Sequence, residues 1–182
     1  MEKQETLKVL IIGLTNSGKT LAANLLAGYM NCQISNDSDI IIRDFARSLN
    51  LDPDYVKTIK KEIRQELFNF ARVKQKEDPS WPAVEQLQFA NIITGTRNPD
   101  EIRAKRHLFD LIIWVNRKIC KRNITDKLTE KHADVVVDNN GTIMQLRNNL
   151  ISVVSSHKSN KLTNNTMDYI RNIEETHKGS KL

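Results

Sequence analysis

The segment from Gly13 to Thr20 constrains the fold of this chain more than any other. It has the sequence Gly-Leu-Thr-Asn-Ser-Gly-Lys-Thr. An unbroken apolar run at residues 9–12 precedes it, and Leu21, Leu25 and Leu26 follow it with the spacing of a helix face. A buried strand, a loop with two glycines and a helix in this order predict a phosphate-binding P-loop near the start of an α/β domain.

The two glycines of this loop permit a backbone path that turns successive N–H groups inward, toward the positive end of the following helix. We expect Lys19 to reach the β- and γ-phosphates of ATP and Thr20 to place its hydroxyl on Mg²⁺. The loop residues predicted to bind ATP are Gly13, Thr15, Asn16, Ser17, Gly18, Lys19 and Thr20. The alternative, a strand-to-helix turn that binds nothing, is disfavoured by the strand, the helix, Lys19 and Thr20 together.

Length and cysteine content set the broad class. The 182 residues, of which 39% are hydrophobic, suffice for one domain with its own core. Cys32 and Cys120 lie in unrelated segments without metal-ligand spacing, which favours a reducing compartment without disulfides. The polar N-terminus and the lack of an apolar run of about 20 residues predict a cytoplasmic protein with no membrane partner.

The net charge of +6 and the pI near 9.3 fit two kinds of partner. A basic surface can bind nucleic acid, but an enzyme that holds two multiply charged phosphate ligands needs the same excess. The basic residues are scattered between acidic ones, mostly on predicted helices. We therefore expect small phosphorylated ligands rather than nucleic acid.

Five short apolar runs predict strands at residues 9–12, 33–35, 92–94, 111–115 and 135–137. Between them apolar residues recur at helical spacing, and Ile59, Ile63, Leu67 and Phe70 predict one long helix that begins at Asp52 and Pro53. This alternation predicts a five-stranded parallel sheet with helices on both faces. We assign residues 1–154 to this domain and residues 155–182 to a polar C-terminal tail, with or without a short helix at 162–175.

The segment after the predicted second strand carries Asp37, Asp39 and Arg43. The carboxyl end of a strand in an α/β sheet is where ligands bind. A carboxylate there can order Mg²⁺ or accept a substrate hydroxyl, and Arg43 can hold a phosphate bidentately. Aspartates in loops and solvated arginines on helices are common, however, and this alternative stays open.

The third and fifth predicted strands also end in polar segments. Arg97 follows Thr94 and Gly95 at the same carboxyl edge, where it can bind the acceptor phosphate or the transferred group. Its alternative role is a salt bridge to Glu101 on the helix that Asn98 and Pro99 begin. The turn at residues 138–141, Asp-Asn-Asn-Gly, can present side chains to a base edge, although turn formation alone explains it.

Together these segments resemble the nucleoside monophosphate kinase group of P-loop proteins over about residues 7–154. The resemblance is strongest to phage-type deoxynucleoside monophosphate kinases and dephospho-coenzyme A kinases, and for a phage-encoded chain it implies the host cytoplasm. It implies an ATP site at the P-loop, with Asp138 and Asn139 near the adenine, and an acceptor site in a helical insert after the second strand. The acceptor-binding residues that it implies are Asp39, Arg43, Arg64, Arg72, Lys74 and Arg97.

The chain departs from that group at two places. Thr94 stands where many relatives have an aspartate that holds the metal through water, so metal handling falls to Thr20 with Asp37 or Asp39. The lid, at residues 116–131, is short. A short lid is compatible with slow phosphoryl transfer, with help from the partner subunit of a homodimer, or with lost activity. Its basic residues are Arg117, Lys118, Lys121 and Arg122. The predicted catalytic residues are Lys19, Arg97, Arg117 and Arg122.

The function that these features favour is ATP- and Mg²⁺-dependent phosphorylation of a small phosphorylated acceptor, a nucleoside or deoxynucleoside monophosphate. One alternative is the same chemistry on dephospho-coenzyme A. Another is a regulatory module that binds ATP without catalysis, which the short lid and Thr94 favour. No Asn-Lys-x-Asp segment follows the fourth predicted strand, so a GTPase is disfavoured.

Overall fold

The computed structural model describes residues 7–122 and 127–179, with only the backbone at residues 162 and 164–179. Its centre is a five-stranded sheet in the order β2-β3-β1-β4-β5, in which all neighbouring strands run parallel. The strands are β1 (Val9–Ile12), β2 (Ile34–Asn36), β3 (Ile92–Thr94), β4 (Leu111–Asn116) and β5 (Val135–Asp138). The predicted parallel sheet is confirmed, and the strand bounds agree with the sequence to within one residue.

Helices connect the strands and cover both faces of the sheet. They are α1 (Lys19–Met30), α2 (Asp37–Ser48), α3 (Pro53–Thr58), α4 (Arg64–Glu77), α5 (Ala83–Gln86), α6 (Pro99–Lys105) and α7 (Ile143–Gly179). Two turns of 3-10 helix lie at Arg106–Leu108 and Glu130–His132. None of the helices in the described ranges combines the length and the apolar character needed to cross a bilayer. The helical insert predicted after the second strand consists of α2 to α5.

The central strand explains why the sheet is covered on both sides. All four residues of β1 are inaccessible to solvent. Because side chains alternate along a strand, Val9 and Ile11 pack with residues of α1 and α7, whereas Leu10 and Ile12 pack with residues of α5 and α6. The chain leaves β1 for β2 and β3 on one side and later forms β4 and β5 on the other. The carboxyl end of β1 is therefore the switch point where α/β sheets bind ligands.

Two predicted helix starts are confirmed in detail. The Asp52 carboxylate accepts hydrogen bonds from the backbone N–H groups of Asp54 (2.6 Å) and Tyr55 (3.3 Å) at the start of α3. The Asn98 side chain accepts from the N–H of Asp100 (3.1 Å) at the start of α6. In both helices proline occupies the first turn, where its missing N–H costs nothing.

The single long helix predicted from Asp52 onward is wrong, because the chain forms two helices with a turn at residues 59–63. Within that turn the N–H of Ile63 still bonds to the carbonyl of Ile59 (3.2 Å), and the N–H of Leu67 bonds to Ile63 (3.1 Å). The apolar residues thus keep helical spacing through a break in the helix. Val56 of α3 and Leu67 of α4 join the same cluster against α2.

Helix α7 is long and continues past the end of the core. Leu146, Leu150 and Val154 are buried against the sheet and α1. Farther along, Lys161 Nζ donates to Asp110 Oδ1 at 2.8 Å. The helix is thus continuous through position 154, where the sequence predicted the start of a polar tail, and the division of the chain there stays a prediction.

Candidate functional site

The loop between β1 and α1 has the backbone geometry that its glycines predict. Gly13 and Gly18 have φ angles of 152° and 93°, and Asn16 between them has a φ of 65°. A Cβ atom at position 13 would lie 2.6 Å from the carbonyl oxygen of Val115 on β4. Only glycine fits here without strain, because the loop lies directly against the neighbouring strand. Together with the strand order, this geometry confirms the predicted P-loop NTPase fold.

Lys19 is the first residue of α1, and its side chain turns back over the loop. Its Nζ donates to the carbonyl oxygens of Gly13 (2.9 Å) and Leu14 (2.6 Å). These two bonds hold the ammonium beside the loop, where charged phosphate oxygens are stronger acceptors than neutral carbonyls. Thr20, the next residue, is exposed on the first turn of α1. A triphosphate would meet both the ammonium and the hydroxyl.

Asn139, at the start of the segment from β5 to α7, holds the loop from the other side. Its Nδ2 donates to the carbonyl oxygen of Ser17 at 2.7 Å, and a Cβ atom at Gly18 would collide with this amide. The N–H of Asn139 donates to the carbonyl of Asn116 at 2.8 Å, which ties the segment to β4. Asn139 therefore contacts the P-loop directly, a contact that the sequence did not predict.

A cavity of about 470 Å³ opens beside this contact. Its lining combines the exposed apolar side chains of Leu21, Ile119 and Ile143 with backbone and amide groups of the β5–α7 segment. A second cavity, of about 360 Å³, lies at the tip of the P-loop. Arg117 and Ile119 line both cavities. The described start of the short lid therefore lies against the P-loop.

Asp138 was predicted near a bound base together with Asn139. Its carboxylate accepts hydrogen bonds from the N–H of Asn140 at 3.3 Å and from the side-chain amide of Asn140. Asn140 Oδ1 in turn accepts from the N–H of Lys118 at 2.8 Å. Asn139 and Asn140 line the larger cavity, whereas Asp138 is not among its lining residues. The role predicted for Asp138 stays a prediction.

The carboxylates after β2 differ from each other. Asp37 is buried, and its Oδ2 accepts from Lys105 Nζ at 3.2 Å and from Thr96 Oγ1 at 3.0 Å. Its Oδ1 is buried without a hydrogen-bond partner. Asp39 is exposed. Asp37, predicted as a metal ligand, is therefore already paired with an internal cation, and Asp39 is the accessible carboxylate.

Arg43 on α2 is also paired. Its Nε donates to Asp44 Oδ1 at 2.8 Å, and a terminal nitrogen donates to Glu85 on α5. The hydrogen bond to Asp44 is the main cause that raises the pKa of Arg43, and the bond to Glu85 adds to it while burial opposes it. Trp81 Nε1 donates to the other oxygen of Asp44 at 3.3 Å. An anionic ligand of Arg43 would therefore compete with two carboxylates.

The other predicted acceptor residues lie on the surface. Arg97 is exposed at the start of α6, and its backbone N–H donates to the Glu101 carboxylate. On α4, Arg64 is exposed, Arg72 lies over the Phe68 ring with 5.8 Å from Cζ to the centroid, and Lys74 is 3.9 Å from Glu77. Arg97 stays accessible at the carboxyl edge of β3, whereas Arg72 and Lys74 contact neighbours on their own helix.

The predicted lid is described only in part. Arg117 and Arg122 are exposed before its middle, and residues 123–126 lie outside the described residues. In the described ranges no three His, Cys, Asp or Glu side chains cluster so that they could hold a metal ion. Mg²⁺ commonly binds through one or two protein groups, with substrate phosphate oxygens and water supplying its other ligands. Thr20, exposed beside the loop, fits that arrangement.

Sequence reasoning missed two residues that shape this region, Lys105 and Glu85. One signal was present for Lys105, because it lies three residues after the apolar Ile102 in the helix that Asn98 and Pro99 begin, and hence on the same face. A lysine on the buried face of a helix indicates an internal anion. Glu85 gave no comparable signal.

No protein-family model matches this sequence, and no curated protein matches it. Several solved structures are similar to the chain at low identity. They include shikimate kinase from Aquifex aeolicus vf5 (15% identity, 85% of this chain and 98% of that chain, TM-score 0.47) and a sugar kinase from Janibacter sp. HTCC2649 (14%, 83% and 95%, 0.48). A third is TT1252 from Thermus thermophilus (14%, 84% and 98%, 0.42). Because these TM-scores lie below 0.5, the fold assignment depends on the strand order and loop geometry of this chain.

Proposed function

We propose that this protein is an ATP-dependent phosphotransferase whose acceptor is a small phosphorylated molecule, a nucleoside or deoxynucleoside monophosphate. The observation that carries the proposal is the P-loop at the switch point of the sheet, with the Lys19 ammonium 2.6 to 2.9 Å from the loop carbonyls. Backbone N–H groups of a glycine-containing loop, a helix N-terminus and an ammonium group are what a triphosphate requires.

The nucleotide would extend from the loop into the larger cavity. Its phosphates would lie against Gly13, Gly18 and the residues between them, and its base would enter the cavity between Leu21 and Ile143. Arg117 lines that cavity, and a guanidinium can stack on the face of a planar ring. The amides of Asn139 and Asn140 supply hydrogen-bonding groups at the cavity wall, and we assign Asp138 and Asn139 to the base region.

Magnesium would be held by Thr20 together with phosphate oxygens and water. It would neutralise charge as the γ-phosphoryl group leaves the nucleotide. Asp39 is the exposed carboxylate on the acceptor side, and we assign it to water-mediated metal contact or to an acceptor hydroxyl. Asp37 is buried against Lys105, so we assign it no direct metal bond.

The acceptor would bind at the carboxyl ends of β2 and β3. Arg97 is exposed there, and Arg43 would exchange a carboxylate for the acceptor phosphate; Arg64, Arg72 and Lys74 of the insert are the remaining candidates. An acceptor phosphate oxygen would attack the γ-phosphorus while the bond to the β,γ-bridging oxygen breaks and ADP leaves. Lys19, Arg97, Arg117 and Arg122 would stabilise the charge of this transfer, without a covalent intermediate.

Two alternatives are carried with this proposal. Dephospho-coenzyme A would use the same P-loop chemistry with a different acceptor. A regulatory module that binds ATP without catalysis is favoured by one observation, namely that Arg43 already has carboxylate partners in Asp44 and Glu85. In such a module the acceptor side would serve only to hold the insert together.

The deciding experiment measures ADP formed from Mg-ATP with a panel of nucleoside and deoxynucleoside monophosphates and dephospho-coenzyme A. Acceptor-dependent ADP supports the enzyme and identifies its substrate class. ATP binding by calorimetry without acceptor dependence supports the module, and no heat with Mg-ATP overturns both.

One substitution links this assay to the loop. We predict that Lys19→Ala lowers the rate of acceptor-dependent ADP formation by about 10² to 10³-fold while the fold is retained, because a single preorganised charge supplies about 3 to 4 kcal/mol to a transition state. The matched control is Lys8→Ala, an exposed lysine before β1, at the end opposite the loop. Rates for Lys19→Ala within twofold of wild type would contradict the assignment.

A further inference from the structure

Buried polar side chains are concentrated at one place in the described part of the chain. Apart from Ser17, they all belong to the segments at the ends of β2 and β3 or to the helices that cover them; they are Ser35, Asp37, Gln86, Thr94, Thr96 and Lys105. The most costly of these to bury is Lys105, which is 1% exposed. Desolvation makes a buried ammonium unfavourable, so its burial requires a compensating interaction.

The Lys105 ammonium joins two turns that are distant in sequence, namely the β2–α2 turn at Asn36 and Asp37 and the β3–α6 turn at residues 95–98. It lies 3.2 Å from Asp37 Oδ2, and Thr96 Oγ1 donates to the same oxygen at 3.0 Å. Asp37 begins α2, whereas Thr96 and Lys105 belong to the β3–α6 turn and to α6. Asn36 Nδ2 adds a hydrogen bond to Thr94 Oγ1 at 2.8 Å. These buried and partly buried polar bonds thus fix the β2–α2 turn against the β3–α6 turn.

The backbones of the two turns are also in contact. Gly95 has a φ of 111°, and a Cβ atom there would lie 2.9 Å from the backbone nitrogen of Asp37. Because there is no room for a side chain between the turns, a small change in one turn must displace the other. The charges that face this junction are Asp37, Lys105 and Glu101, and Gln75 of α4 bonds to Glu101.

Stability alone does not account for the pair. Replacing a buried ion pair with apolar side chains of similar volume is often neutral or stabilising, because the desolvation cost disappears. What the pair does provide is a fixed geometry. Two residues after Asp37 comes the exposed carboxylate of Asp39, and directly after Thr96 comes the exposed guanidinium of Arg97.

We propose that Lys105 is a positioning residue of the acceptor site. Through Asp37 its ammonium holds the β2–α2 and β3–α6 turns together, so that Asp39 and Arg97 stay at the separation that one acceptor molecule requires. The inference rests on the proposed function, and it assigns to Lys105 no contact with substrate. Since the P-loop follows a different strand, the pair controls acceptor binding and leaves ATP binding unchanged.

The test compares Lys105→Met with the double variant Asp37→Asn, Lys105→Met. The single variant leaves a buried carboxylate without its cation, whereas the double variant removes both charges and keeps the volume. The matched control is Arg103→Met, which breaks an exposed pair with Asp100 on the same helix (3.2 Å). Three quantities are measured for each protein: the acceptor KM at saturating Mg-ATP, the Kd of Mg-ATP by calorimetry, and the melting temperature.

We expect the acceptor KM to rise about tenfold or more in both variants, because small misplacements of binding groups are costly, with the Kd of Mg-ATP within about twofold of wild type. The double variant should melt at a higher temperature than the single variant, and Arg103→Met should behave as wild type. A role in folding alone would move the melting temperature and leave the acceptor KM in place.

Each other outcome overturns the inference. A folded double variant with the wild-type acceptor KM shows that the pair does not position the acceptor. Equal losses of acceptor and ATP binding, or failure of both variants to fold, show a general structural role. The assay of the wild-type protein distinguishes failure of this inference from failure of the proposed function. If the wild type forms no acceptor-dependent ADP, both the proposed function and the role of Lys105 are contradicted. If the wild type is active and the variants keep its acceptor KM, only the role of Lys105 is contradicted.

Discussion

The two halves of the candidate site are built by different means. On the nucleotide side the loop between β1 and α1 presents backbone groups. Its glycines have positive φ angles, and a Cβ atom at either position would collide with neighbouring atoms. On the acceptor side the chemistry belongs to charged side chains. Most of these already have partners, since Asp37 is paired with Lys105, and Arg43 with Asp44 and Glu85.

This difference bears on how each half responds to its ligand. A backbone concavity is preorganised, because its N–H groups are fixed by the fold before a ligand binds. On the acceptor side an anion must compete with carboxylates for the same guanidinium. We therefore expect the nucleotide half to be intolerant of added atoms, and the acceptor half to be sensitive to changes of charge.

Among the substitutions that test this comparison, the largest effect is expected from an added methyl group in the loop. In Gly13→Ala the new Cβ atom would lie 2.6 Å from the carbonyl of Val115 and 2.7 Å from Ser17 Oγ. We predict a loss of roughly 1 to 3 kcal/mol in the free energy of unfolding and a Kd for Mg-ATP at least about tenfold higher, because the loop must move. Urea unfolding and calorimetry measure the two quantities.

A second glycine supplies the control for this prediction. Gly28 lies in α1, and a Cβ atom there meets nothing within 4 Å. Gly28→Ala should raise the free energy of unfolding by about 0.5 to 1 kcal/mol and leave the Kd of Mg-ATP unchanged, since alanine favours the helix. Wild-type affinity in Gly13→Ala would mean that the loop does not depend on its packing against β4.

The same difference explains how much the sequence could predict. The P-loop was found because its residues are consecutive and its chemistry depends on local spacing. The strands were found to within one residue because each is a continuous apolar run with polar residues at its ends. Both features are local, and the parallel sheet with helices on both faces followed from them, whereas the strand order did not.

The acceptor side could be predicted only in outline. Lys105 is 68 residues from Asp37 in sequence, and Glu85 is 42 residues from Arg43. No local spacing connects residues so far apart, so the sequence indicated charges there without indicating that they neutralise each other. The break after α3 was missed for a related reason, since the turn at residues 59–63 keeps the helical spacing of Ile59 and Ile63.

A smaller effect is expected when competition for Arg43 is removed. In Glu85→Gln the guanidinium keeps Asp44 but loses one carboxylate, and about a third of the Arg43 side chain is exposed, so solvent weakens the pair. If the acceptor phosphate replaces Glu85, the acceptor KM should fall about threefold, which corresponds to about 0.7 kcal/mol. Steady-state kinetics at saturating Mg-ATP give this value.

The control for Glu85→Gln is Glu66→Gln, which removes the same charge from an exposed position in the first turn of α4. It tests whether a change of net charge alone attracts the acceptor. A rise in the acceptor KM of Glu85→Gln would contradict the competition, because it would mean that Glu85 orients Arg43 toward the ligand.

The smallest effect concerns Glu101, beside the Lys105 pair. Burial is the main cause that raises the pKa of Glu101 above its ordinary value of 4.5, while attraction by Lys105 lowers it and repulsion by Asp37 raises it. Because the pKa of this carboxyl is higher in the folded state than in the unfolded state, its ionisation lowers the free energy of unfolding. This loss is absent below pH 4.5 and complete above the raised pKa. Stability is therefore lost as the pH rises through that window.

Glu101→Gln removes this titration. The melting temperature of the variant minus that of wild type should become more positive between pH 4 and pH 7, by about 2 °C. The control is Asp100→Asn, which removes an exposed carboxylate from the same helix. A difference for Glu101→Gln that falls with pH would mean that attraction by Lys105 outweighs burial. The ammonium would then neutralise Glu101 as well as Asp37, and the acceptor half would hold a three-charge network rather than one closed pair.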